Sequence, residues 1–360
     1  EFRVMSVPEL CAQISVLLPQ LTVPALQAVL QTARAAVSAA PKPEAAGASS
    51  DVDVVSAAAV GFVGMGAMGR PMSKHVCSAV LRAGGRAQVW NRTGGRAEEA
   101  AAESGAEVAR TLQDLQGCEV VFTCLPTSQE VESVAQQLSE VLSAGAAVVD
   151  CTSGDPVVTR RIGEQLRAKG IVMVDCPVSG GPRGAQAGSL TSMLGGDEAD
   201  VAKVVPLVRA FSGKVSHVGP LGSAHAVKVV NNIMNSTHLV AAAEGLLILS
   251  KRFGVDPAVA CDVINQSSGR SLQSQVRIPE EVLTGRYSYG FKLGLMAKDC
   301  RIAVSIVKDQ EDELAANTQL LPGTLLRLEE AQTKYGADAD YTCVVKLLEE
   351  ACGVDLRPLG

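Results

Sequence analysis

Gly64-Met65-Gly66-Ala67-Met68-Gly69 places glycine at the first, third and sixth positions of a hexapeptide. Glycines so spaced permit a tight turn, a close approach of the backbone to a charged group, and close packing of a helix on a strand. When such a loop runs from strand to helix, the helix N-terminus turns its free N–H groups and positive dipole end toward a diphosphate. The chemistry is the holding of a dinucleotide by its pyrophosphate. In a chain with 34 glycines a structural turn is the competing reading. Further on, an apolar run ends in Val89-Trp90-Asn91-Arg92-Thr93, with no acid where an NAD site usually sets Asp or Glu against the ribose hydroxyls. Arg92 can pair with a 2′-phosphate through its forked donors, and Asn91 and Thr93 can add hydrogen bonds. This favours NADP, with NAD also to be considered; the alternative is an arginine on a solvated loop.

Lys228 and Asn232 in Lys228-Val229-Val230-Asn231-Asn232 are four apart, so on a helix they share a face and can meet one small molecule. No acid stands three or four residues from Lys228. A lysine whose stem packs while its head reaches water is the alternative. Upstream, Asp175-Cys176-Pro177-Val178-Ser179-Gly180-Gly181-Pro182 ends a strand in a turn whose N–H groups could cradle a carboxylate, or which is plain loop chemistry.

The elements that must carry these residues divide the chain in three. Residues 1–57 read as a helical extension and linker: Leu10, Ile14, Leu17, Leu18 and Leu21, then Leu26, Val29, Leu30 and Ala33, keep helical spacing, and Ala39–Ala57 is rich in Ala, Pro, Ser and Gly. Residues 58–219 alternate short apolar runs with helical patterns. Strands are expected at Ala58–Gly64, Ala87–Asn91, Val120–Leu125, Ala146–Cys151 and Ile171–Val178, and helices at Met68–Ala83 and Ser128–Leu142. Strands without polar alternation predict a parallel sheet covered on both faces, an α/β Rossmann-type dinucleotide-binding domain. Residues 220–360 read as all-α. A long helix over Ser223–Phe253 joins the two parts and places Lys228 at the cleft between them. Further helices are expected at Pro257–Asn265, Leu293–Lys308, Glu311–Asn317, Thr324–Lys334 and Asp340–Glu350.

The 360 residues suffice for two cores, and aromatics, at 3%, are too scarce to build them. A net charge of −6 without a dense basic run argues against nucleic-acid binding. The ten cysteines form no CxxC pair and His75, His217, His225 and His238 no ligand pair, so buried thiols and no metal are expected. No uninterrupted apolar run reaches a membrane helix's length, so no membrane span and a cytoplasmic protein are expected. Mitochondrial is the alternative, against which residues 1–40 are poor in arginine.

Gly64–Met72, Leu125-Pro126, Asp150–Asp155, Asp175–Gly181, Lys228–Asn232 and Ala297–Cys300 occur in the order, and in wording similar to, the motifs of the β-hydroxyacid dehydrogenase family, over roughly Val60 to Glu350. Ser267-Ser268-Gly269-Arg270 and the Asp175–Gly181 turn resemble 3-hydroxyisobutyrate dehydrogenases, whereas Asn91-Arg92-Thr93 is more similar to NADPH-using glyoxylate and succinic semialdehyde reductases. The resemblance implies hydride transfer between NAD(P) and a small β-hydroxy acid or its semialdehyde, with Lys228 as general acid/base. Asn232 with Ser179, Gly180 and Gly181 would hold substrate; Leu125, Pro126 and Ser153 would line the nicotinamide side; Lys298 would close over both. It also implies a homodimer or homotetramer. Asn231, where 6-phosphogluconate dehydrogenases carry histidine, argues against that substrate. The rival readings are a glyoxylate or succinic semialdehyde reductase and a non-catalytic scaffold. A free lysine titrates near about 10.4, so a useful base must be shifted down by burial or by positive charge.

Overall fold

In the computed structural model, which describes residues 58–308 and 313–358, the first expected strand is β1, Ala59–Val63, and the glycine loop feeds α1, Gly69–Arg82. The extension and linker expected over residues 1–57, and residues 311 and 312 of an expected helix, lie outside the described residues. Next come β2 (Arg86–Trp90), α2 (Gly94–Ser104), β3 (Glu107–Val108), β4 (Val120–Thr123), α3 (Ser128–Leu138), β5 (Ala147–Asp150), α4 (Pro156–Arg167) and β6 (Val172–Asp175). These six strands are parallel, in the order β3-β2-β1-β4-β5-β6. Alternate residues of each strand enter opposite cores. Phe62, Phe122, Val149 and Val174 face one, and Val63, Val121, Val148 and Met173 the other. Burial on both faces is why these strands read as unbroken apolar runs.

The sheet is larger and less uniform than expected. The run expected as one strand over Ile171–Val178 breaks at Cys176-Pro177, because proline offers the ladder no N–H. After the break, β7 (Val178–Ser179) pairs antiparallel with β8 (Leu190–Gly195), which is itself antiparallel to β6. The short α5 (Gly181–Ala187) links β7 and β8, while α6 (Glu198–Val208) leads to β9 (Ser212–Gly219), parallel to β8. Leu-Thr-Ser-Met-Leu-Gly and Ser-Gly-Lys-Val-Ser-His-Val-Gly are too rich in small and polar residues to show as buried strands. The sheet is therefore mixed, not purely parallel.

From Ser223 to Phe253 one helix, α7, spans 31 residues. It contributes Val229, Ile233, Val240 and Leu247 to a separate helical core with α8 (Pro257–Asn265), a π-helix (Gln273–Val282), α9 (Leu293–Lys308), α11 (Leu320–Tyr335) and α12 (Cys343–Cys352); the short α10 (Glu313–Asn317) falls between α9 and α11 in the chain. By length and a mean hydropathy of 1.3 over its most apolar stretch, α7 could cross a membrane, against the expectation that nothing in the chain could; 44% of that stretch is buried, and we read it as the core helix of this domain. The π-helix was not foreseen: no element was expected between Asn265 and Leu293, and Pro279 inside the segment argues against a helix.

Candidate active site

A single row of ladder partners crosses the carboxyl edge of the sheet: Trp90, Val63, Thr123, Asp150 and Asp175 are in register from β2 through β1, β4 and β5 to β6. The residues just past that row are those the motifs singled out. Ligands of open α/β sheets bind outside the carboxyl ends of strands where the winding reverses, and here it reverses between β1 and β4.

The three motif glycines have different reasons to be glycine. A Cβ on Gly64, at φ +101°, would lie 2.3 Å from the Cys124 carbonyl oxygen, and one on Gly69 would lie 1.9 Å from the Gly64 carbonyl oxygen. Both are required by the turn itself. A Cβ on Gly66 would meet nothing within 4 Å, so no protein contact asks for glycine there. A cofactor approaching the backbone does, and the loop fits one. The loop, with Met65, Ala67 and Met68 between its glycines, opens α1 as expected.

Asn91 braces the glycine loop: its Oδ1 accepts from Met65 N at 2.9 Å and its Nδ2 donates one of its two hydrogens to Thr93 O at 2.9 Å. Arg92 and Thr93 are exposed, as is Arg96 one turn into α2. Neither Arg92 nor Arg96 has a carboxylate within 4 Å among the described residues. Arg96 went unremarked in the sequence because only its place at the start of a helix puts it beside Arg92.

Leu125 N donates to Thr152 Oγ1 at 3.0 Å, and Thr123 Oγ1 donates to Asp150 Oδ1 at 2.8 Å, which ties the ends of β4 and β5 together and leaves Leu125 beside Gly64 and Pro126 exposed. Ser179 ends β7; Gly180 and Gly181 follow at φ +130° and +64°. Successive glycines with positive φ suit a turn that points its N–H groups outward.

The helical domain reaches this edge through three anchors. First, Asp175 at the end of β6 accepts from Gly222 N and His225 N, each at 2.8 Å. A carboxylate on the free N–H groups and positive end of α7 fixes where that helix starts, and Lys228 is one turn further. Gly195 leaves room for that carboxylate, since a Cβ there would be 2.3 Å from Asp175 Oδ1. Second, the buried His225 packs over Gly154 and shares a 2.8 Å hydrogen bond with Thr159 Oγ1. Third, Lys298 of α9 donates to the Ser153 carbonyl oxygen, so two residues expected to flank the nicotinamide are in direct contact.

Lys228 is 9% exposed and makes no hydrogen bond or ion pair with the described residues. Burial pushes its ammonium below the ordinary lysine range, as does the charge of Lys298, while the Asp299 carboxylate opposes the shift. Asp299 is the residue that the sequence reading left without a role. It accepts from Asn232 Nδ2 at 2.6 Å, and its Oδ1 lies 3.0 Å from Lys298 Nζ in an ion pair without hydrogen-bond geometry. One buried carboxylate thus sets the side chains of Asn232 and Lys298 and the charge near Lys228. It comes from 67 residues beyond Asn232, a separation no helical spacing reports.

Residues 59–219 match the NAD-binding domain of 6-phosphogluconate dehydrogenase, and residues 222–348 match the NAD-binding domain of NADP-dependent 3-hydroxyisobutyrate dehydrogenase. The chain is 31% identical over 304 residues to 2-(hydroxymethyl)glutarate dehydrogenase of Eubacterium barkeri, covering 82% of this chain and 97% of that one. The chain belongs to the β-hydroxyacid dehydrogenase family. As such it is an NAD(P)-dependent oxidoreductase acting on CH–OH groups. A second relative in this family is the NAD-dependent L-serine dehydrogenase of Pseudomonas aeruginosa, 33% identical over 306 residues, covering 82% of this chain and 99% of that one. The solved 3-hydroxyisobutyrate dehydrogenase of Mycobacterium tuberculosis with L-serine superposes with a TM-score of 0.73 at 26% identity, over 81% of this chain and 99% of that one. The Rossmann-type domain followed by an all-α domain is thus the architecture of the β-hydroxyacid dehydrogenases.

Proposed function

We propose that this dehydrogenase oxidises the primary hydroxyl of a small β-hydroxy acid to the semialdehyde, or runs the reverse reaction, with Lys228 as general acid/base. The observation that carries this is a buried lysine without a hydrogen-bond partner among the described residues, on the helix that starts at the carboxyl edge of the sheet, with its ammonium form disfavoured. When bound, the nicotinamide takes or gives the hydride. In oxidation neutral Lys228 accepts the hydroxyl proton; in reduction its ammonium form donates to the carbonyl oxygen. Asn232, set by Asp299, keeps a second amide hydrogen for the same oxygen. The N–H groups of Ser179, Gly180 and Gly181 receive the substrate carboxylate, and Pro182, which has no N–H, follows in the first turn of α5. Leu125, Pro126 and Ser153 flank the ring of the cofactor, with Lys298 closing over them.

NADP is the cofactor this reading prefers. Arg92 and Arg96 are two exposed guanidiniums without carboxylate partners among the described residues, beside the end of β2, and Thr93 lies between them in the sequence. Arg92→Asp is expected to lower kcat/KM for NADPH by roughly 10–100-fold while NADH is used as well or better, the size of a lost charge-assisted pair. The same residues favour a second reading, an NADPH-dependent glyoxylate or succinic semialdehyde reductase. A turnover screen tests both: 3-hydroxyisobutyrate, L-serine and 2-(hydroxymethyl)glutarate with NADP⁺ and NAD⁺, against glyoxylate and succinic semialdehyde with NADPH and NADH. Turnover confined to the last two would move the assignment to the reductase.

A homodimer or homotetramer formed through the helical domain belongs to this reading. Its support is the row Val227, Val230, Met234 and Ile248, 40–58% exposed along α7. Light scattering on the purified chain reads the mass, and a monomer would contradict it. The bacterial relatives favour a cytoplasmic location.

A further inference from the structure

Beyond Lys228 and Asn232 the same face of α7 carries Asn235, one turn further on, and a polar chain runs from it around the cleft. Asn235 Oδ1 accepts from Gln273 Nε2 at 2.7 Å, and the hydroxyl of the buried Tyr341 lies 3.3 Å from Gln273 Oε1. Gln273 opens the π-helix, and four residues later Arg277 sets its guanidinium carbon 3.5 Å from the ring centroid of Tyr289. The Tyr289 ring also meets Tyr341 edge to face at 6.0 Å. On its other side the Tyr289 hydroxyl comes to 3.7 Å from the position a Cβ would take on Gly181. The chain that leaves the catalytic helix therefore returns to the turn that receives the substrate carboxylate.

Arg277 is set apart by partial burial together with the lack of a carboxylate, since Arg252 and Arg270, which also have none within 4 Å among the described residues, are exposed. Arg286 and Arg301 each have a carboxylate within 4 Å, whereas among the described residues Arg277 has none. Its Nε is buried without a hydrogen-bond partner. The guanidinium also meets the Tyr341 hydroxyl, but a buried Nε–H with no acceptor is costly unless something else supplies one. The platform beneath it is held firmly. Ser288 N donates to Glu281 Oε2 at 2.8 Å, and Gly290 N to Asp340 Oδ2 at 2.7 Å. Tyr287, the one non-glycine with positive φ (+45°) among the described residues, is bound through its hydroxyl to Glu349. Strain that the surroundings hold in place and a π-turn both gather at functional sites.

We propose that Arg277, seated on Tyr289, binds a second carboxylate of the substrate, so that the preferred substrate is a hydroxymethyl dicarboxylate. The proposal rests on the reading of the site as that of a β-hydroxy acid dehydrogenase. 3-Hydroxyisobutyrate, L-serine and 2-(hydroxymethyl)glutarate all contain a hydroxymethyl group next to a carbon bearing a carboxylate. They differ in the third substituent of that carbon: methyl, ammonium or carboxyethyl. Lys228, Asn232 and the Ser179-Gly180-Gly181 turn address the shared part. Tyr289 stands beside Gly181 of that turn and Arg277 stacks on Tyr289, so this pair is left for the third substituent. A guanidinium attracts the carboxyethyl group through paired hydrogen bonds, gives a methyl group nothing, and repels an ammonium.

The test is steady-state kinetics of the full chain on the three acids, in the wild type, Arg277→Met and Arg277→Lys, with calorimetric titration of 2-(hydroxymethyl)glutarate into each. The wild type should favour 2-(hydroxymethyl)glutarate over 3-hydroxyisobutyrate by about 30-fold in kcat/KM, the size expected of a charge-assisted bidentate contact. L-Serine should be the poorest of the three. Arg277→Met should collapse that ratio toward one through KM rather than kcat, and Arg277→Lys should restore part of it. A wild type without preference for the dicarboxylate, or an Arg277→Met variant that lowers both acids equally, would overturn the proposal while leaving the dehydrogenase reading intact. Turnover of none of the acids with either cofactor would remove the dehydrogenase reading instead. The titration then decides for Arg277 alone: dicarboxylate affinity lost in Arg277→Met supports the site, and equal affinity ends it.

Discussion

On the dinucleotide side of the cleft five strand ends share one row of ladder partners, whereas on the helical side the reaching groups hang on single carboxylates. Asp299 holds Asn232, Glu281 and Asp340 hold the segment that carries Tyr289, and Asp175 holds the start of the helix that carries Lys228. A ladder aligns its ends through backbone hydrogen bonds, which many strand-forming sequences satisfy equally. A carboxylate anchor needs one side chain in one place. On the function proposed above, the first half is a generic cofactor edge, and the second is where a change of side chain would change the substrate.

That contrast can be broken most forcefully inside the glycine loop. Gly69→Ala drives a Cβ into the Gly64 carbonyl oxygen, so unfolding in urea should show a loss of about 3 kcal/mol, the upper range for forced overpacking. Asp175→Asn keeps one acceptor and leaves an N–H of α7 without its charged partner. We expect about 1–2 kcal/mol of destabilisation, and a fall in kcat larger than the fall in cofactor affinity, because the helix bearing Lys228 loses its anchor. Gly66→Ala is the counterpart of Gly69→Ala. With open space around it, stability should stay within roughly 0.5 kcal/mol, while cofactor affinity, read by fluorescence titration, falls about tenfold. Equal stability losses at both glycines would erase the distinction between a glycine kept for the turn and one kept for a ligand.

The gentlest of these effects is electrostatic. Asp299 holds the Lys228 ammonium up against burial, so Asp299→Asn should let its pKa fall further. Oxidation needs the neutral amine and rises with pH through that pKa. The acidic limb of kcat/KM in the variant should therefore lie at lower pH than in the wild type. A limb that moved to higher pH would mean that another group titrates in it.

Legibility from sequence follows the same division. Gly64 to Gly69, the end of β2 and the Gly180-Gly181 turn are contiguous, so residue type and order were enough to find them. Lys228 and Asn232 were legible because helical spacing places them on one face. Asp299 reaches Asn232 from another element, 67 residues away, and nothing local marks a carboxylate that will orient an amide on a distant helix; Arg277 and Tyr289, proposed for the second carboxylate, likewise lie on other elements. Asp175 stood inside a motif and was still read only as the end of a strand, since its function is to accept from backbone N–H groups 47 and 50 residues on. The strands β8 and β9 were missed for a plainer reason: their threonines, serines and glycines carry too little apolar signal.

If Lys228 moves the proton that accompanies hydride transfer, single-turnover kinetics of Lys228→Ala with saturating cofactor should show it. The chemical step should slow by roughly 10²–10⁴-fold, the usual share of a positioned acid or base, with cofactor affinity within a few-fold of the wild type. A variant that turns over at the wild-type rate, or one that loses its cofactor affinity along with its activity, would contradict that role of Lys228.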